Sequence, residues 1–215
     1  MGTPRLAIII PALNEAETIG SVVESVRSFG LPIVVDDGSV DKTADVAKRN
    51  GADVVVHSIN TGYDAALSSG FKRAAELRCV YAITMDADGQ HDPTLIRKYL
   101  GLLDEGCDLV IGVRDRVQRI SEAIFGWTTN RLFGLKDPLC GMKGYKLSLY
   151  LERGHFDSYD SVGTELAIYA IKRGCRFSQV PISTRPRKGT PRFGQLVSGN
   201  YRILRSLALS FFFAR

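Results

Sequence analysis

Long apolar runs are absent from this chain of 215 residues. No stretch reaches the roughly 20 consecutive apolar residues that a membrane-spanning helix requires. The first apolar segment, residues 6–10, is stopped by Pro11, which is typical of a β-strand rather than of a signal peptide. We therefore expect a cytoplasmic protein, and one that is peripheral to the cytoplasmic face if it contacts a membrane.

Cysteine is scarce, and the spacing of metal ligands is absent. The four cysteines lie far apart in the sequence, as Cys79, Cys107, Cys140 and Cys175. Scattered cysteines among apolar residues are typical of buried free thiols in a reducing compartment. Low-complexity segments are absent too, and 45% hydrophobic with 24% charged residues is the composition of a globular protein. A chain of this size is expected to form one domain, residues 1–215.

The charge balance is mildly basic, with a formal net charge of +5. Such a surface suits an anionic ligand or an anionic membrane. The sequence has no pattern of a groove-binding helix or of an aromatic ribbon, so we expect no nucleic-acid partner.

Short apolar runs alternate with helical patterns along the chain. The predicted strands cover residues 6–10, 33–35, 53–56, 81–85, 109–113 and 176–180. One predicted helix begins near Asn14 as its cap, and the others cover residues 42–49, 64–77, 93–103, 120–132 and 162–173. This alternation predicts an α/β fold with a mostly parallel central sheet and helices on both faces.

Two carboxylates directly follow the predicted strand 81–85. Asp86 and Asp88 are two positions apart, so in an extended chain their side chains point the same way and can reach one divalent cation. Gln90 offers a further, neutral oxygen, and Mg²⁺ and Mn²⁺ accept such oxygen ligands. The alternative interpretation is a turn rich in capping acids before the helix that starts at Pro93.

A second acidic pair, Asp36 and Asp37, follows the predicted strand 33–35. Open α/β sheets bind ligands beyond the carboxyl ends of their strands. Two adjacent acids need hydrogen-bond donors there, and the base and ribose of a nucleotide offer them. The alternative is a loop in which Ser39 or Asp41 caps the next helix.

Four segments in this order, residues 11–15, 36–43, 60–70 and 86–93, resemble the motifs of family 2 glycosyltransferases of the GT-A fold. Within that family the chain is most similar to dolichol- and polyprenyl-phosphate sugar (mannose or glucose) synthases, and the resemblance covers residues 5–194. It implies a single Rossmann-like domain. Residues 1–114 would bind the nucleotide sugar, residues 115–200 would form the acceptor side, and residues 201–215 would be an apolar and basic C-terminal segment.

The resemblance also implies roles for individual residues. The implied nucleotide-sugar site comprises Pro11, Leu13, Asn14, Glu15, Asp37, Asn60, Gly62, Asp86, Ala87, Asp88, Gln90 and Arg114. The implied ligands of a divalent cation, Mn²⁺ or Mg²⁺, are Asp86, Asp88 and Gln90. The implied catalytic residues are Asp88, Asp137 and Arg187, with Cys140, Gly141 and Tyr145 in the same segment as Asp137. The implied acceptor-phosphate residues are Arg131, Arg187, Lys188 and Arg192.

Two departures from the family pattern bear on the acceptor. Many relatives that glycosylate a hydroxyl carry a Glu-Asp pair whose Asp is the catalytic base, but here Glu165 is followed by Leu166. A hydroxyl must lose a proton in the transition state, whereas a phosphate is already an anion, so the missing base favours a phosphate acceptor. Residues 189–192 also depart from the family's Gly-x-Ser-Lys, although Arg192 keeps a positive charge.

These features predict an inverting, metal-dependent glycosyltransferase that moves a sugar from a GDP- or UDP-sugar to a polyprenyl or dolichyl phosphate at the membrane surface. Transfer to a hydroxyl of a glycan or other acceptor, in cell-surface polysaccharide synthesis, stays open as the alternative. A sugar nucleotidyltransferase is disfavoured because the Gly-rich, basic phosphate loop that it needs after the first strand is absent. A non-catalytic binding module is disfavoured because both acid pairs are intact.

Some expectations concern single side chains. His91 is either a third metal ligand or a helix-start residue with local hydrogen bonds. His57 and His155 are expected to be structural or exposed, and Trp127 is expected to lie in the core. The C-terminal residues 201–215 either pack as a final helix on the core or lie in a membrane interface.

Overall fold

The computed structural model describes residues 5–115, 119–183 and 196–213, with the side chains of the last segment described from residue 199 to residue 210. Within these residues, seven strands form one sheet: β1 (Leu6–Ala12), β2 (Leu31–Asp36), β3 (Asp53–Val56), β4 (Tyr81–Thr84), β5 (Leu109–Arg114), β6 (Lys143–Lys146) and β7 (Phe177–Ile182). Their order across the sheet is β3-β2-β1-β4-β6-β5-β7. Strand β6 is antiparallel to β4 and β5, and the remaining neighbours are parallel. The predicted mostly parallel sheet is confirmed.

The central strands owe their position to continuous apolar runs. The first five side chains of β1 are all buried, which is what a parallel strand covered on both faces requires. The parallel register pairs Ala12 with Asp36, and Asp36 with Val56. The carboxyl ends of β1, β2 and β3 therefore meet at one edge of the sheet, and Asp86 and Asp88 follow β4 at the same edge.

Helices cover both faces, as predicted. They are α1 (Ile19–Val26), α2 (Thr43–Arg49), α3 (Tyr63–Glu76), α4 (Leu95–Asp104), α5 (Ile120–Phe133), α6 (Leu147–Arg153), α7 (Glu165–Lys172) and α8 (Leu196–Phe213). Helices α1, α2 and α4 share a core with the even-numbered residues of β1. Helices α3, α6 and α7 share a core with its odd-numbered residues, on the opposite face.

Two local predictions were wrong. The first helix begins at Ile19 rather than near Asn14, because Asn14 has a φ of +50° and its side chain bonds to the loop after β2 instead of capping the helix. Trp127, expected in the core, is exposed on α5. Strand β6 was not predicted, because its Lys-Gly-Tyr-Lys sequence has no apolar alternation and becomes a strand by pairing between β4 and β5.

The C-terminal segment is a helix on the core where the structure describes it. Ile203 and Leu207 of α8 pack against Phe125 of α5 and Ile168 of α7. Among the described helices, none combines the length and apolarity needed to cross a bilayer. The four cysteines are free, three of them buried and Cys175 partly so.

Candidate active site

The loops after β1 and β2 are joined by hydrogen bonds. The Asn14 N–H donates to Ser39 Oγ at 2.8 Å, and Asn14 Oδ1 accepts the Val40 N–H at 2.9 Å. The Glu15 N–H donates to Thr43 Oγ1 at 2.8 Å. Two segments that the sequence analysis assigned to nucleotide binding thus form one structural unit at the carboxyl edge of the sheet.

Asp37 is held by the loop that leads into α3. Its carboxylate accepts the N–H groups of Thr61 at 2.9 Å and Gly62 at 2.8 Å, and it lies 2.7 Å from His57 Nδ1. Burial acts to raise the pKa of Asp37, but the bonds from His57, Thr61 and Gly62 outweigh it and lower the pKa. His57 Nε2 lies 2.8 Å from Ser69 Oγ, so His57 has a structural place, as expected. The hydrogen-bond donors to the Asp37 carboxylate are therefore groups of the protein itself.

Asp86 at the end of β4 is paired with His91. Asp86 Oδ2 lies 2.9 Å from His91 Nε2, and the His91 side chain is buried. Burial acts to raise the pKa of Asp86, but His91 and the positive charges of Lys143 and Arg114 lower it overall. Asp86 is therefore an ionised carboxylate at neutral pH. His91 therefore makes a local hydrogen bond, and its role as a third metal ligand stays a prediction.

Gly141 lets the backbone approach the Asp86 carboxylate. A Cβ at position 141 would lie 2.4 Å and 2.7 Å from the two carboxylate oxygens. Thr84 Oγ1 donates to the Gly141 carbonyl at 2.6 Å and fixes the same contact. A side chain at position 141 would displace the carboxylate, which gives a physical reason for glycine in the segment that follows Asp137.

The acid pair has the chemistry of a divalent-cation site. Asp86 offers an ionised carboxylate, and the carboxyl group of Asp88, whose Oδ1 accepts the Gln90 N–H at 3.0 Å, lies in the turn that follows. Hard carboxylate and amide oxygens are the donors that Mg²⁺ and Mn²⁺ prefer. The residues present therefore fit such an ion, with further oxygens supplied by phosphate and water.

Arg114 at the end of β5 is locked to Asp137. The guanidinium donates to the two Asp137 oxygens at 2.8 Å and 2.9 Å, and also to Glu122 Oε2 at 3.1 Å. Burial acts to lower the pKa of Arg114, and the contact with Asp137 raises it overall. The structure brings these two predicted site residues together, and the catalytic role expected for Asp137 stays a prediction.

Lys143 is a buried lysine beside the site that was not predicted from the sequence. Its Nζ donates to the Gly163 carbonyl at 3.0 Å. Burial lowers the pKa of Lys143, while the charges of Asp137 and Asp86 oppose that shift. The sequence carried no signal for this lysine, because the strand that buries it has no apolar pattern.

The loop at residues 157–164 is held by Asp64 of α3. The Asp64 carboxylate accepts the N–H groups of Val162 at 3.1 Å and Gly163 at 2.5 Å. Asp160 and Val162 have φ values of 55° and 56°, and a positive φ is strained for a β-branched residue such as valine. Both backbone polar groups of Gly163 are therefore hydrogen-bonded: its N–H donates to Asp64 and its carbonyl accepts from Lys143.

Three acidic side chains converge at this loop. Oxygens of Asp64, Asp157 and Asp160 lie within 4.8 Å of one another. Burial, followed by the charge of Asp157, raises the pKa of Asp64 to about 6. Asp157 accepts the N–H groups of Asp160 and Ser161, so these carboxylates build the loop itself.

Glu165 at the start of α7 is fully buried in a structural ion pair. Its carboxylate accepts hydrogen bonds from Arg153 and from the N–H and hydroxyl of Ser158. Leu166, which occupies the position of the catalytic base in relatives with a Glu-Asp pair, is buried too. Glu165 is therefore not placed to take a proton from an acceptor.

A polar cavity of about 570 Å³ lies between α3, the loop at residues 157–164 and α8. Its walls include Ser68, Ser69, Ser158, Asp160 and Arg205. Through the contact of Ser69 with His57, the cavity adjoins the loops around Asp37.

Of the four predicted acceptor-phosphate residues, the structure describes Arg131. Arg131 is exposed near the end of α5. Arg187, Lys188 and Arg192 lie outside the residues that the structure describes.

The chain resembles known proteins along almost its whole length. It is 32% identical, over 95% of its length and 91% of the relative, to the uncharacterized protein MJ1222 of Methanocaldococcus jannaschii. It is 28% identical, over 90% of its length and 89% of the relative, to a dolichyl-phosphate hexose transferase of Haloferax volcanii.

The fold is also that of a solved structure. Glucosyl-3-phosphoglycerate synthase from Mycobacterium tuberculosis, crystallised with Mn²⁺ and UDP-glucose, matches with a TM-score of 0.78 and 24% identity over 96% of this chain and 79% of the other. This GT-A architecture agrees with the predicted fold. Residues 7–147 match the sequence model described as glycosyl transferase family 2. The chain therefore belongs to glycosyl transferase family 2 and is a glycosyltransferase.

Proposed function

We propose that this glycosyltransferase moves a hexose from a nucleotide-diphosphate sugar to the phosphate of a polyprenyl or dolichyl lipid. The observation that carries the donor side is the acid pair at the end of β4, with Asp86 ionised beside His91 and packed against Gly141. The relative named as a dolichyl-phosphate hexose transferase supports the acceptor class.

On the donor side, residues 1–114 hold the nucleotide sugar. Asp86, Asp88 and Gln90 bind a divalent cation, Mn²⁺ or Mg²⁺, which supplies positive charge to the departing diphosphate when it is bound. The joined loops that carry Asn14, Glu15 and Asp37 form the wall of the nucleoside pocket. The use of Mn²⁺ and UDP-glucose by the structural neighbour supports this assignment, and both GDP- and UDP-sugars are candidate donors.

On the acceptor side, the attacking group is an anionic phosphate. It needs positively charged side chains that hold it in place, and it needs no catalytic base. Leu166 replaces the base of relatives that use a hydroxyl, and Glu165 is occupied by Arg153. Four basic residues bind the phosphate: Arg131, Arg187, Lys188 and Arg192. Asp137 keeps Arg114 aimed along the edge of the sheet.

The reaction is a single displacement. A phosphate oxygen of the acceptor attacks the anomeric carbon from the face opposite the diphosphate. The bond from that carbon to the diphosphate oxygen breaks, and the nucleoside diphosphate leaves with the electron pair. The product is a glycosyl phosphodiester with inverted configuration, and no proton transfer to the protein is required.

The acceptor class is tested with two matched lipids. The enzyme is incubated with Mn²⁺ and a GDP- or UDP-sugar, together with a short-chain polyprenyl phosphate or the corresponding polyprenol in detergent. We expect transfer to the phosphate, loss of transfer with EDTA, and no transfer to the alcohol. Equal turnover of the polyprenol would contradict the phosphate acceptor. Formation of a nucleoside triphosphate and a sugar 1-phosphate when pyrophosphate is added to the NDP-sugar would indicate a nucleotidyltransferase instead.

A further inference from the structure

Helix α5 carries a stripe of large apolar side chains that face away from the core. Ile120, Ile124 and Trp127 are 81%, 44% and 71% exposed. Their spacing of four and then three residues places them on one side of the helix. The buried side of α5 is separate and includes Ser121 and Phe125. Helix α5 therefore packs on the core through one side and exposes a second apolar side, the stripe.

The neighbouring helix α8 adds exposed apolar area. It packs against α5 through Ile203 and Leu207, and it exposes Tyr201 by 68% and Leu204 by 42%. Large apolar side chains gathered on adjacent elements mark an interaction surface. We call Ile120, Ile124, Trp127, Tyr201 and Leu204 the α5–α8 surface.

The charges of the two helices indicate what this surface contacts. Glu122 is the sole acid within Ile120–Phe133 and Leu196–Phe213, and its side chain pairs with Arg114 and is 10% exposed. Arg131 and Arg202 are exposed on the same two helices. Apolar side chains flanked by arginines, without an exposed acid, are complementary to an anionic lipid surface, and tryptophan favours the boundary between headgroups and acyl chains.

The α5–α8 surface is also next to the candidate active site. Strand β5 ends at Arg114, whose guanidinium joins Glu122 of α5 to Asp137. A bilayer that contacts α5 thus lies beside the edge of the sheet where the acceptor is expected. An isoprenoid chain can stay in the lipid while its phosphate meets the sugar.

We propose that the α5–α8 surface docks the enzyme on a bilayer that contains anionic lipid, with Trp127 and Ile124 inserted at the level of the headgroups. The inference deepens the proposed function, since a lipid-phosphate acceptor gives the docking its purpose. It also moves the expected membrane contact from the C-terminal residues 201–215 alone to the exposed side of α5.

Trp127 is the sole tryptophan of the chain, so it reports its own surroundings. Its emission is recorded with vesicles of phosphatidylcholine containing about 30% phosphatidylglycerol, and with the same vesicles carrying brominated acyl chains. We expect a shift to shorter wavelength and quenching by the bromines. An emission typical of a buried indole before lipid is added, or no change on adding it, would overturn the proposal.

A variant pair identifies the surface. The double variant Ile120→Ser, Ile124→Ser is expected to bind these vesicles on the order of tenfold more weakly in co-sedimentation. The control Leu151→Ser, at a 62% exposed leucine of α6, should bind like the wild type. Equal loss in both variants, or equal binding of the wild type to pure phosphatidylcholine, would contradict docking on anionic lipid. A dimer that the double variant abolishes, without vesicle binding by the wild type, would make a second copy of the chain the occupant.

The two proposals fail separately. The vesicles contain neither sugar donor nor polyprenyl phosphate, so docking is measured without transfer. Transfer to a short-chain acceptor in detergent is measured without a bilayer. Docking without transfer would refute the proposed function alone, and transfer without docking would refute the α5–α8 surface alone.

Discussion

The two halves of the molecule hold their loops by different means. In residues 5–114, hydrogen bonds between neighbouring loops, such as Glu15 N–H to Thr43 and Thr61 N–H to Asp37, fix the carboxyl edge of the sheet. In the second half, the ion pair of Arg153 with the fully buried Glu165 does so as well, and Lys143 donates to the Gly163 carbonyl. The difference matters because a lost hydrogen bond typically costs about 1 kcal/mol, whereas a broken buried ion pair costs about 3–5 kcal/mol.

The two halves also differ in backbone strain. In the loops around Asn14 and Asp37, polar groups of one loop form hydrogen bonds with polar groups of the next. The loop at residues 157–164 has a strained backbone, with a positive φ at Val162, and the hydrogen bonds of Asp64 and Lys143 to Gly163 hold it in that conformation. Substitutions on the donor side should therefore lower activity with a small loss of stability. Substitutions on the acceptor side should lower both activity and stability.

The largest expected effect is a donor-side loss of activity. Asp88→Asn removes a negative charge from the acid pair while keeping the shape of the side chain and its ability to accept the Gln90 N–H. We expect the rate of metal-dependent transfer to fall on the order of 10²–10³-fold, because charge on the departing diphosphate is no longer neutralised. The measurement is the initial rate at saturating Mn²⁺, with the melting temperature recorded for the same sample.

The matched control is Asp92→Asn in the same turn. Asp92 accepts the Thr94 N–H at the start of α4, and asparagine can accept it too. Its activity should stay close to that of the wild type. Full activity of Asp88→Asn at an unchanged melting temperature would refute the metal assignment.

The next effect is on stability in the second half. Glu165→Gln leaves Arg153 buried without a counter-charge, so the free energy of unfolding should fall by about 3–5 kcal/mol. Urea unfolding followed by circular dichroism measures this loss. The control is Glu152→Gln in an exposed pair with Arg173, where we expect a loss below about 1 kcal/mol. Similar losses in both variants would remove the distinction between the two halves.

The sequence was most informative where structure is local. Pro11 to Glu15, Asp37, and Asp86 to Gln90 each follow an apolar strand, so their meeting at one edge follows from parallel topology. The hydrogen bonds that join these loops depend on short polar side chains in the motifs themselves. The motifs therefore predicted the parallel strands and the loops at their carboxyl ends without any distance information.

The second half was harder to predict because its contacts are distant in sequence. Strand β6 forms only because β4 and β5 offer edges to pair with, and its lysines hide it from any apolar pattern. Asp64 reads as an ordinary first-turn acid of a helix, yet its partners lie at Val162 and Gly163. Trp127 was misplaced because a large aromatic side chain is usually buried, whereas α5 packs through Phe125 instead.

A pH effect sharpens the comparison at Asp64. Its folded-state pKa of about 6 lies above the value near 3.9 of an unfolded aspartate, so the folded state holds a proton that the unfolded state has released. The free energy of unfolding should therefore fall as the pH rises from about 4 to about 6, by at most about 3 kcal/mol. Asp64→Asn should lack this slope, and Asp45→Asn, at an exposed acid of α2, should keep it. An identical slope in Asp64→Asn would show that the pH dependence has another origin.

The smallest effect tests the donor side through one hydroxyl. Thr43 is fully buried, and its Oγ1 accepts the Glu15 N–H at 2.8 Å. Thr43→Val keeps the volume but leaves that N–H without an acceptor, so we expect the free energy of unfolding to fall by about 1–2 kcal/mol. The loop after β1 should also loosen, which raises the KM for the nucleotide sugar more than it lowers kcat. In the control Thr128→Val, the hydroxyl bonds to a helix carbonyl at the surface, and the change should stay within about 0.5 kcal/mol. A larger effect on kcat than on KM would mean that this hydrogen bond serves the reacting centre rather than the nucleoside pocket.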